Sequence, residues 1–259
     1  MKRIAIIIVT LFAGGYLVFC GLLFFYQRSF IYHPVKSSII ANSSFISINS
    51  EGETIRILTR ETASPKALIY FGGNADDVSA YLGSFADSIS EPNLFLVNYR
   101  GYGGSTGTPS EAALFADALA VYDHVRSKYS NISVVGRSLG SGVAVYLASA
   151  RNVEKLVLIT PYDSIENVAK THFPIFPIGL LLKDKYDSAS RIKDVTAETL
   201  IILAESDLTI PKENSESLIA RFLERQVVVH TLSGTTHGSV GFSKEYLPII
   251  QNFLAINPQ

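Results

Sequence analysis

From Ile4 to Tyr26 a run dominated by Ile, Leu, Phe, Val and Gly carries no charge. At about 1.5 Å per residue, a helix of that length crosses the roughly 30 Å apolar core of a bilayer. The run predicts a membrane anchor over residues 1–26, followed by a connector over 27–43. The period then changes. FISINS and TIRILTR alternate apolar and polar positions, as exposed antiparallel edge strands do. From Lys66 onward, strands apolar on both faces alternate with helical stretches. KALIYF is followed by a helix near Asp77 to Ser90, and NLFLVNY by a helix from Ser110 to about Lys128. ISVV leads into a helix ending at Ala150, and VEKLVLIT follows it. TLIILA precedes a helix from about Lys212 to Phe222, and QVVVHTL one from about Ser243 to Leu254. Doubly buried strands alternating with helices specify an α/β domain with a mainly parallel sheet covered on both faces. That domain spans residues 44–259 and has eight strands, two of them an antiparallel pair at its start.

One interval breaks the alternation. Between VLIT and TLIILA lies THFPIFPIGLLLKDKYDSAS, part of an insertion over about 162–197. An insertion of this size has a role of its own, and a lid over a site is the natural one. Its apolar residues, from Phe173 to Leu182, suit either a cover over a hydrophobic acyl pocket near a membrane or a segment packed for stability.

Charge and cysteine content narrow the functional classes. With 22 basic residues against 23 acidic ones the net charge is −1. No basic run is present to follow a phosphate backbone, so nucleic acid is not an expected partner. The single Cys20 excludes an intramolecular disulfide and a cysteine-based metal cluster. Lys2 and Arg3 precede the apolar run while Arg28 alone follows it closely, which puts the N-terminus in the cytoplasm and the remaining chain outside. A cleaved signal peptide ending near Ala13, Gly14 and Gly15 is the alternative, although the apolar run continues well past those residues. A lipid on Cys20 is disfavoured by bulky Phe19 before it.

The pattern G-x-S-x-G occurs twice, as GRSLG around Ser138 and as GGSTG around Ser105. A nucleophile elbow needs a strand entering a tight turn and a helix leaving it, so that developing negative charge meets the helix N-terminus. Ser138 has both, with ISVV before it and the small-residue run LGSGVAVYLASA after it. Ser105 lies in a loop that continues through Pro109 before the next helix starts. A serine hydroxyl also needs a base, and on this topology acid and His follow the Ser in that order. Of the later histidines, His230 lies within a strand and His172 within the apolar insertion. His237 lies in SGTTHGSVG, between the last strand and the last helix, and is the candidate base. The acid belongs in the loop after TLIILA, which offers Asp207 and the less deeply placed Glu205. Asp163, after VLIT, is a third option. Two backbone N–H groups complete such a site. One is that of Leu139; the other comes from FGGNADD, at Asn74 or the adjacent Ala75, where Gly72 and Gly73 permit close approach and unusual dihedrals.

FGGNA, NYRGYGGSTG, GRSLGSG, LAESDLTIP and TTHG, in this order and spacing, resemble the α/β-hydrolase superfamily. The closest resemblance is to membrane-anchored ABHD-type serine hydrolases related to monoacylglycerol lipases, protein depalmitoylases and serine aminopeptidases. Many of those proteins have His where Gly72 stands and Asp where Asn98 stands. The resemblance implies acyl transfer to water through an acyl-enzyme on Ser138, with no metal or organic cofactor. Hydrolysis of carboxylic esters or thioesters of hydrophobic acyl substrates, lipids among them, is the first expectation. A serine peptidase and a non-catalytic anchored binding protein are the alternatives.

Overall fold

The computed structural model describes residues 2–36, 44–89 and 91–255. The chain begins with α1 (Lys2–Ile31), β1 (Ser44–Ser50), β2 (Glu53–Arg60), β3 (Lys66–Phe71), α2 (Ser79–Ser88) and β4 (Asn93–Val97). It continues with α3 (Glu111–Arg126), β5 (Asn131–Arg137), α4 (Leu139–Ala150), β6 (Lys155–Ile159), α5 (Ile165–His172) and α6 (Ile178–Leu181). It closes with β7 (Glu198–Ala204), α7 (Lys212–Ile219), β8 (Val227–Leu232) and α8 (Tyr246–Ala255). Residues 37–43 of the expected connector, and the expected helix end at Ser90, lie outside the described residues.

The strands form one sheet in the order β1-β2-β4-β3-β5-β6-β7-β8. From β4 to β8 every pairing is parallel, while β2 runs against both β1 and β4. The pattern in TIRILTR suggested an edge, but β2 is internal and buries Ile55, Ile57 and Leu58. Its terminal Arg60 is accommodated because the guanidinium donates to the carbonyls of Ala86 in the last turn of α2 and of Ile89 and Pro92 after it. Alternate residues of each central strand enter opposite layers. In β3, Ile69 and Phe71 join the core that includes α3 and α4, whereas Leu68 and Tyr70 join the core that includes α2 and α8.

Ser110 caps α3, its hydroxyl accepting from the Ala113 N–H, in keeping with a helix start there. Two later helices are shorter than the pattern implied. α7 stops at Ile219, and α8 begins only at Tyr246, after a separate 3-10 turn at Val240–Phe242.

The N-terminal helix departs from expectation in the other direction, passing Tyr26 and ending at Ile31. The polar residues that suggested an end are absorbed by the insertion over 162–197. Gln27 donates to the Leu181 carbonyl at 3.0 Å and accepts from the Lys183 N–H at 2.6 Å. Arg28 pairs with the buried carboxylate of Asp184 at 2.9 Å. The insertion itself folds into α5, α6 and a turn at Ile192–Asp194.

Candidate active site

In a parallel α/β sheet, ligands gather outside the carboxyl ends of the strands, where successive loops converge. Ser138 follows β5 directly and sits at φ +50°, ψ −118°. A non-glycine residue held there stores on the order of 1–3 kcal/mol of backbone strain. The flanking glycines make the turn sterically feasible. A Cβ on Gly136 would lie 2.4 Å from the Gly140 carbonyl oxygen, and one on Gly140 would lie 2.2 Å from that of Phe71. The Ser138 N–H is already committed to the Ile159 carbonyl at 2.9 Å. Leu139 opens α4, so its N–H is among those without an intrahelical acceptor. The Leu139 carbonyl accepts from the buried Tyr162 hydroxyl at 3.1 Å. Burial pushes that phenol well above its ordinary pKa, so it remains a donor.

Ser138, His237 and Asp207 form one hydrogen-bonded line. His237 Nε2 lies 2.9 Å from Ser138 Oγ, and His237 Nδ1 lies 2.8 Å from Asp207 Oδ2. The other carboxylate oxygen, Asp207 Oδ1, accepts from the N–H groups of Thr209 and Ile210 at 2.9 and 2.8 Å. The carboxylate is thereby fixed in rotation and aimed at the imidazole.

The other candidates are engaged elsewhere. Glu205 accepts from the Gly234 N–H at 2.7 Å and shapes the turn before His237. Asp163 accepts from Ser164, Asn167 and Asn214. His230 is exposed on the edge strand β8, and His172 Nε2 lies 3.0 Å from the Thr209 carbonyl oxygen. Ser105 is buried, donates to the Asn98 carbonyl and accepts from the Arg56 N–H, which stitches its loop to β2.

The loop after β3 approaches from the opposite side. Neither Gly72 nor Gly73 adopts a positive φ, so dihedral freedom is not what they provide. They provide room: a Cβ on Gly73 would lie 3.1 Å from both Arg137 and Asp76. Asp76 accepts from the Gly73 N–H at 2.7 Å, and the Tyr99 hydroxyl donates to the Gly72 carbonyl at 2.7 Å. The Asn74 carbonyl accepts from the Tyr102 hydroxyl at 2.7 Å and the His33 N–H at 3.2 Å. These contacts support the loop without a histidine at position 72. Asn74 and Leu139 line the same cavity as Ser138, while Ala75 is exposed.

Sequence reasoning missed Arg137. Its guanidinium pairs with Asp76 at 2.6 Å and donates to the His237 carbonyl at 3.1 Å, joining the loops on either side of Ser138. Burial acts to lower the Arg137 pKa, but the Asp76 carboxylate and nearby Tyr81 and Tyr70 outweigh it, so the net shift is upward. The only local signal was an arginine directly before the elbow serine.

Ser138 and His237 open into a cavity of about 730 Å³, within the roughly 300–1,000 Å³ typical of small-molecule sites. Its walls are mostly apolar and come from the insertion and, unexpectedly, from α1.

A family model described as serine hydrolase (FSH1) matches residues 66–237 of this chain. The chain belongs to the serine hydrolases of the α/β-hydrolase superfamily. An uncharacterised protein of Mycobacterium tuberculosis is 34% identical to this serine hydrolase over 243 residues, covering 86% of this chain and 84% of that protein. The human alpha/beta hydrolase domain-containing protein 17B is 29% identical over 222 residues, covering 82% and 74%. In fold, this hydrolase is similar to the Pyrococcus furiosus esterase Pf2001, with a TM-score of 0.68 at 14% identity over 86% of this chain and 97% of that one. The elbow, the loops and the strand order therefore belong to an α/β-hydrolase of the ABHD type.

Proposed function

We infer that this serine hydrolase is membrane-anchored and cleaves carboxylic esters or thioesters of hydrophobic acyl substrates through an acyl-enzyme on Ser138. The observation that carries this reading is the Ser138–His237–Asp207 line opening into an apolar cavity walled partly by α1. In this mechanism His237 Nε2 takes the Ser138 Oγ proton as Oγ adds to the acyl carbonyl carbon. The N–H groups of Asn74 and Leu139 stabilise the tetrahedral oxyanion, while Asp207 holds the tautomer and stabilises the imidazolium. Collapse breaks the bond to the alcohol or thiol, which leaves with the proton from His237. Water then adds to the acyl-enzyme, His237 accepts its proton and returns it to Ser138, and the carboxylic acid departs.

Against p-nitrophenyl esters of increasing chain length and aminoacyl p-nitroanilides, the esters are expected to be hydrolysed and the anilides left largely intact. Preference for the anilides would make the protein a peptidase.

Residues 1–26 serve as the anchor, 27–43 as the connector and 44–259 as the catalytic domain, with the lid over about 162–197. Lys2 and Arg3 before the apolar run and Arg28 alone after it favour a cytoplasmic N-terminus and an extracytoplasmic catalytic domain. Protease added to intact spheroplasts is expected to degrade the catalytic domain. Protection until lysis would reverse this orientation.

A further inference from the structure

α1 carries two kinds of surface that composition does not distinguish. One stripe, Tyr16, Phe19, Leu23, Gln27 and Phe30, recurs every three or four residues and therefore lies along one side of the helix. That side meets the insertion. Phe176 stacks between Tyr16 and Phe19, at ring-centroid distances of 5.7 and 5.3 Å, and the Tyr16 hydroxyl donates to the Ile175 carbonyl at 2.8 Å. One turn beyond Leu23, Gln27 makes its two bonds to the insertion backbone. Next, Asp184 accepts from both Arg28 and the Tyr32 hydroxyl, and Tyr32 in turn bonds Tyr186 at 2.9 Å. Between the aromatic contact and this polar cluster lies the cavity of Ser138, into which Phe19, Leu23, Phe30 and Ile31 project. Leu17 and Phe25, outside the stripe, are 68% and 79% exposed; within it Phe19 and Phe30 still show 51% and 65% of their surface, so the contacts with the insertion, not exposure alone, distinguish the two sides.

We propose that the C-terminal half of α1 is a wall of the acyl-binding pocket, and that Leu23 and Phe19 set how well the site accepts a long acyl chain. The helix is then a specificity element as well as an anchor. Contacts clamp it to the lid at both ends, and the gap between them is apolar and continuous with the nucleophile. A segment that only tethered the domain would have no need of a buried glutamine, an ion pair and an aromatic stack to fix its rotation. The proposal rests on Ser138 being the nucleophile, and its test separates the two ideas.

The full chain in phospholipid nanodiscs is treated with fluorophosphonates bearing an ethyl or a dodecyl chain, and the ratio of dodecyl to ethyl labelling rates is measured. Leu23→Trp, which fills the cavity, is expected to lower this ratio by about tenfold or more, the loss that follows when a few methylenes can no longer be buried. Leu23→Ala removes contact without bulk and is expected to lower it less, so the test survives if the tryptophan displaces the helix. Leu17→Trp, on the exposed side, is expected to leave the ratio unchanged. Wild-type ratios in both Leu23 variants would overturn the proposal while leaving the hydrolase reading intact. Absence of labelling by either probe in the wild-type chain would remove the hydrolase reading and this inference with it.

Discussion

Ser138→Ala is expected to abolish labelling by a fluorophosphonate probe and to lower ester turnover by about 10⁵-fold or more, the scale seen when a serine nucleophile is removed from such a site. The backbone should tolerate the change, because alanine at φ +50° is strained no more than serine is. Loss of labelling with a retained fold would locate the chemistry at Oγ. Ser105→Ala is the matched control. Ser105 occupies the same pentapeptide pattern, but its hydroxyl is spent on the Asn98 carbonyl and the Arg56 N–H. Leaving those groups unpaired costs stability of about 1–3 kcal/mol and should not touch labelling. Equal labelling of wild type and Ser138→Ala would defeat the assignment.

Asp207→Asn is expected to reduce kcat by about 10⁴-fold with little change in melting temperature. The direction follows from the carboxylate's own hydrogen bonds. Oδ1 receives two N–H donors, from Thr209 and Ile210, so an asparagine must place its carbonyl oxygen there. Its amide NH₂ then faces His237 Nδ1, where Oδ2 stood. That arrangement favours the imidazole tautomer with the proton on Nε2, which cannot accept from Ser138. Asp207→Ala imposes no tautomer, and the asparagine variant should therefore be at least as slow. Stopped-flow measurement of acylation on both variants checks the order. An asparagine variant close to wild type would remove Asp207 from the mechanism.

Local sequence requirements explain what could be read in advance. The elbow needs a strand, a crowded turn and a helix in immediate succession, and all of these fall within Asn131–Ala150. The loops carrying Asp207 and His237 follow β7 and β8, so their meeting with Ser138 is a consequence of strand order. Two features were not legible for opposite reasons. Arg137 and Asp76 are 61 positions apart, and nothing local marks them as partners. The side of α1 that meets the lid was hidden because an almost uniformly apolar helix gives no contrast between a face for lipid and a face for protein. Gln27 and Arg28 look like the end of the helix in sequence and are its attachment to the insertion. TIRILTR looks like an edge in sequence because Arg60 finds its acceptors at carbonyls in the last turn of α2 and just after it, outside the strand pattern.

Arg137 has a thermodynamic consequence of its own. One guanidinium holds the carboxylate of the loop that carries Asn74 and the backbone carbonyl of the residue that carries the imidazole. The two sides of the site are therefore coupled, and disturbing either releases part of the other. Substitutions at Asp76 and Arg137 report on a shared contact, and their costs overlap where those of distant sites would add.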